Sequence, residues 1–159
     1  MRQTFTRLIA TLLLGTLLGL SPLALADDAA EITHAMKAAW DKPEQPLTVK
    51  PVVIVDQIAV AGWLQQDRGG RALLKKTAHG WQTQLCAGEM TFALLHQAGA
   101  SHATANKLLK ALSSAEQSTL SANERKQLDS FSGVVKMDGN GHHGHHAEHG
   151  QPSHQNQSH

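Results

Sequence analysis

The 159-residue sequence contains a single cysteine, Cys86, so no disulfide can close within the chain. Any folded domain must then rest on an ordinary apolar core. An excess of basic residues is missing too: 14 Lys plus Arg stand against 13 Asp plus Glu, a formal net charge of +1. That balance argues against a nucleic-acid binder, which needs a basic surface. Beyond residue 26 no apolar run approaches the roughly 20 residues of a membrane-spanning helix, so stable membrane insertion is not expected. Catalytic motifs are absent as well. There is no G-x-S-x-G, no P-loop and no G-x-G-x-x-G, and Cys86 lacks the local signature of a cysteine protease. The chain therefore reads as non-enzymatic.

What is present begins at the N-terminus. Arg2 and Arg7 precede an apolar stretch from Leu8 to Leu20, and Ala24-Leu25-Ala26 stands just before Asp27-Asp28. A basic region, a short apolar region and an A-x-A site predict a cleaved secretory signal over residues 1–26 and a periplasmic mature protein. No cysteine sits at the cleavage point, which argues against a lipoprotein. Loss of Arg2 and Arg7 takes the 14 basic residues to 12 against 13 acidic ones, a formal charge of −1. The predicted mature end, Asp27-Asp28-Ala29, has no histidine at its third position, so the amino-terminal copper motif is excluded.

Composition divides the remainder into a domain over residues 27–138 and a Gly/His/Gln/Ser tail over 139–159. Ile32, Met36, Ala39 and Trp40 recur at helical spacing and predict a helix from Ala29 to Trp40. Four runs rich in Val, Ile, Leu and Trp follow, about Leu47–Val55, Ile58–Gln66, Arg71–Thr77 and Trp81–Cys86. Breaks at Asp56-Gln57, Asp67-Arg68-Gly69-Gly70 and Ala78-His79-Gly80 make them an antiparallel meander, with Gly69-Gly70 supplying positive φ at the second turn. Helical period returns in Met90, Leu94 and Leu95, then in Ala105, Leu108, Leu109 and Leu112 behind a Ser101 cap, and more weakly from Ala122 to Phe131. The order predicts an α+β roll: an N-terminal helix, a four-stranded antiparallel meander, and C-terminal helices packed on one sheet face. The tail has no aliphatic residue larger than Ala147 and is expected to be disordered.

The tail is also the strongest chemical signal. His142, His143, His145, His146, His149, His154 and His159 are seven of the chain's 11 histidines. Neutral imidazole suits Cu(II), Ni(II) and Zn(II), and a flexible tract can gather several rings around one ion, with Cu(II) favoured by the Irving–Williams order. Soft donors are few. Cys86 and Met90 lie close in sequence, where a strand end meets a helix start, and would suit Cu(I) if both sulfur atoms were presented together. Alternation sets Cys86 out of phase with Trp81, Thr83 and Leu85 and on a polar face with Gln82 and Gln84. A structural Cys86 and a core Met90 remain open beside that reading. His34, His79, His96 and His102 show no ligand spacing and read as surface or turn residues. Arg68 and Arg71 read as turn residues, with an anion or a partner carboxylate as the alternative.

Ile58-Ala59-Val60-Ala61-Gly62-Trp63, Gln66-Asp67-Arg68-Gly69-Gly70-Arg71-Ala72-Leu73-Leu74, Gly80-Trp81, Leu85-Cys86-Ala87-Gly88 and Phe131-Ser132-Gly133-Val134-Val135 occur in that order before the His-rich end. Over about Trp40 to Met137 the chain resembles the copper uptake system-associated protein family of proteobacteria. The resemblance implies a periplasmic accessory to copper import, working beside a periplasmic copper carrier and an inner-membrane copper permease, without catalytic activity. Two other readings stay open: a general periplasmic buffer for zinc, nickel and copper, and a ligand-binding α+β roll to which the tail is incidental.

Overall fold

A computed structural model describes residues 22–137, so the tail histidines and most of the expected signal segment lie outside the described residues. The chain is α+β, with four helices and a five-stranded antiparallel sheet of order β1-β2-β3-β4-β5 among the described residues. Helix α1 spans Pro22–Trp40 and β1 spans Thr48–Val55. Strands β2 (Ile58–Gln65), β3 (Arg68–Thr77) and β4 (Gly80–Ala87) continue the meander. Helices α2 (Phe92–Gln97), α3 (His102–Thr119) and α4 (Ala122–Leu128) lead to a short β5, Val134–Lys136. The expectation of four strands is thus corrected to five. Val134, Val135 and Lys136 pair with Ala87, Cys86 and Leu85, and three residues are too few for alternation to announce a strand.

Alternation along β2 divides the core in two. Ile58 and Val60 join Leu73, Leu85, Leu95, Ala105, Leu108 and Leu112 on the face covered by α2 and α3. Ala59 and Ala61 join Ala72, Leu74, Trp81, Ile32 and Met36 on the face covered by α1. Helices therefore lie on both sides, and the strand faces between them are apolar, as a sheet buried twice requires. Helix α1 begins seven residues before the expected Ala29. Its exposed stretch Ala24–Asp27 gives way at Asp28, whose carboxylate accepts from Lys76 Nζ and Trp81 Nε1. The lysine contact chiefly holds the Asp28 carboxyl below its ordinary range.

Local chemistry sets the helix ends. Ser101 Oγ accepts from the Thr104 amide at the start of α3, and Ser121 and Glu124 form a reciprocal capping box on α4. The second turn differs from expectation. It is the two-residue Gln66-Asp67 loop with Gln66 at φ +56°, and Gly69-Gly70 lie inside β3. These glycines answer to close approach: a Cβ on Gly69 would meet the Gln127 and Trp63 carbonyl oxygens at 2.9 Å, and one on Gly70 the Trp63 ring at 3.0 Å.

Candidate functional site

Strand β4 decides the environment of Cys86. Leu73 faces Leu85 but Leu74 faces Thr83, so Gln84 is an extra residue in a β-bulge. The bulge resets the alternation and turns Cys86 onto the same face as Trp81 and Thr83, correcting the polar face expected from strict period two. Cys86 is 6% exposed beneath α1, and burial pushes its thiol up to about 11. Met90 is buried in the other core, against α2 and α3. The structure does not bring the two sulfur residues together: they lie on opposite faces of the sheet.

The tail positions His142, His143, His145, His146, His149, His154 and His159 lie outside the described residues. Among the described residues no group of three or more His, Cys, Asp or Glu side chains is arranged to hold a metal ion. His34, His79, His96 and His102 are all exposed. His96 stacks on Phe92 at 6.0 Å between centroids, and His102 lies 4.6 Å from the same ring.

The most elaborate polar cluster surrounds Arg71, at 7% exposure. Its Nε and Nη2 donate to the two Glu116 carboxylate oxygens at 2.7 and 2.9 Å, and Nη1 donates to Asp129 at 2.9 Å and to the Gly88 carbonyl. Burial works against the guanidinium charge, and the hydrogen bonds to Glu116 and Asp129 outweigh it and raise the pKa. The carboxylate partner of Arg71 is thus internal. The cluster ties β3 to α3, to the end of α4 and to the β4–α2 loop. Its members are 45 and 58 residues apart, which leaves no local signal in the sequence.

Beside this cluster runs an open groove of about 750 Å³ between the start of α2 and the segment leading into β5. Leu94, Phe131 and Val134 give it an apolar wall, and Glu89 and Asp129 supply carboxylates. Among the described residues the groove's lining includes no histidine or cysteine. No family model matches this chain, and neither does any curated protein or solved structure.

Proposed function

We propose that this protein is a periplasmic copper-handling accessory whose C-terminal tail captures Cu(II) while the α+β domain carries the tail and serves a copper uptake system. The observation that carries the reading is the concentration of seven histidines in the last 18 residues, beginning five residues beyond Met137. Imidazole is neutral at periplasmic pH and binds divalent late transition metals, Cu(II) most tightly among them. Cys86 is buried under α1 and its thiol is pushed well above neutral, so a Cu(I) site there requires α1 to move aside.

Export is supported by residues 1–26; Asp28, whose carboxylate is held by Lys76 and Trp81, falls just after the proposed cleavage point. No helix among the described residues is long and apolar enough to cross a membrane. Copper import, with a periplasmic carrier and an inner-membrane permease as partners, rests on the resemblance over Trp40 to Met137. Competition among Cu(II), Ni(II) and Zn(II) for the purified protein tests the metal. Preferential retention of Cu(II), lost as pH falls through about 6.5 where imidazoles protonate, is the expected result. Equal retention of all three ions would instead make the protein a general metal buffer.

A further inference from the structure

Strand β5 closes one edge of the sheet, and its Val134 and Val135 are 46% and 44% exposed, far above the core valines. The Met137 amide donates to the Gln84 carbonyl at 2.8 Å. Antiparallel alternation then turns Val135 toward β4 as well, and points the N–H and C=O groups of Val134 and Lys136 outward from the sheet. The opposite edge is less receptive. Strand β1 is interrupted by a register shift between Val49 and Val52, where Pro51 has no N–H to offer. Among the described residues the regular open edge is therefore β5.

The side chains around that edge specify its occupant. Val134 and Lys136 lie opposite Ala87 and Leu85, on the sheet face that α2 covers, and Val134 lines the groove that contains Glu89 and Asp129. A strand added outside β5 would place the residue opposite Val134 over this acidic groove, where a cation is favoured. A second copy of β5 supplies one. With a two-fold axis through Val135, each Lys136 falls opposite the other copy's Val134, so the lysine–groove contact forms twice. The same register lets Val134 and Lys136 exchange N–H···O=C bonds in both directions, and it sets Val135 against its counterpart on the other face.

We infer that two copies of this chain associate edge to edge through β5, antiparallel about Val135, with Lys136 of each copy over the Glu89–Asp129 groove of the other. The strand contributes three residues, so the association is weak, below the roughly 1,200 Å² of buried surface typical of stable complexes. The inference goes beyond the metal-capture reading and does not depend on it.

Sedimentation equilibrium of the purified protein, from micromolar to millimolar concentration and with EDTA to remove metal bridges, tests it. A monomer–dimer equilibrium is expected, and Lys136→Glu and Glu89→Lys should each raise its Kd about tenfold or more. Both residues are exposed, so the far-ultraviolet circular dichroism of each variant should remain native. The double variant, which restores opposite charges, should regain most of the affinity. Amide exchange at Val134 and Lys136 should slow as concentration rises. The inference is overturned if the protein stays monomeric to millimolar concentration, as it would were β5 reserved for a strand of another protein. It is also overturned if dimers form only without EDTA, or if neither charge reversal changes their Kd.

Discussion

Replacing Arg71 with methionine removes the one group that neutralises Glu116 among the described residues. The substitution fills similar space but deletes two bonds to Glu116, one to Asp129 and one to the Gly88 carbonyl. The Glu116 side chain is 11% exposed and would be left as a buried charge without a partner, whereas Asp129, at 65%, returns to water at little cost. Breaking a buried ion pair by removing one member costs about 3–5 kcal/mol, and the partial solvation here places Arg71→Met near the lower end, about 3 kcal/mol. That is a large share of the roughly 5–15 kcal/mol that stabilises a domain. Urea unfolding followed by circular dichroism should show the midpoint fall with little change in m. The double variant Arg71→Met/Glu116→Leu should recover much of the loss, because no unpaired charge is then buried. A loss under about 1 kcal/mol for Arg71→Met, or a double variant no more stable than the single one, would refute the assignment of Arg71 as the tie between β3, α3 and α4.

Three further outcomes follow from the same structure. The Lys50 contact, followed by the Ser121 amide, holds the Glu124 carboxyl down from 4.5 to about 2. Its stabilising effect is therefore present above pH 4.5 and is lost as pH falls toward 2, and Glu124→Gln should weaken the acid limb of a stability–pH profile; an unchanged limb contradicts the pairing. For Cys86, whose folded value lies near 11 against an ordinary 9.0, stability should decline as pH rises from 9 toward 11, since only the unfolded thiol ionises there. The native thiol should also resist iodoacetamide at pH 8 until the protein unfolds, and rapid native labelling, read by mass spectrometry, would contradict its burial. A chain ending at Asp138 should keep the metal-free thermal midpoint within about 2 °C, since residues 139–159 offer no core-sized apolar side chain; a large fall would mean that the tail docks on the domain.

The parts of this fold that were legible in the sequence are those set by local pattern. Turn residues at Asp56-Gln57 and Ala78-His79-Gly80, and the Ser101 cap before Ala105 and Leu108, place the meander and α3 close to where the structure has them. What was not legible depends on contacts distant in sequence. Gly69-Gly70 look like a turn until Trp63 and Gln127 press against them. Cys86 looks exposed until the Gln84 bulge resets the strand, and a bulge is a property of two paired strands that neither announces alone. Arg71 finds its carboxylate 45 residues away, and β5 is a strand only because the edge of β4 was free to receive it. The candidate metal ligands divide the same way: the tail's histidines are plain in composition, whereas the separation of Cys86 from Met90 appears only when the two faces of the sheet are resolved.

The central claim is that metal capture belongs to the tail. Isothermal titration of Cu(II) into the purified protein and into a chain ending at Asp138, both near pH 7, tests it most directly. The intact protein should bind Cu(II) saturably through its tail imidazoles, and the shortened chain should lose that binding while keeping its native circular dichroism. Equal Cu(II) uptake by the two proteins would contradict the account and move the metal site into the folded domain.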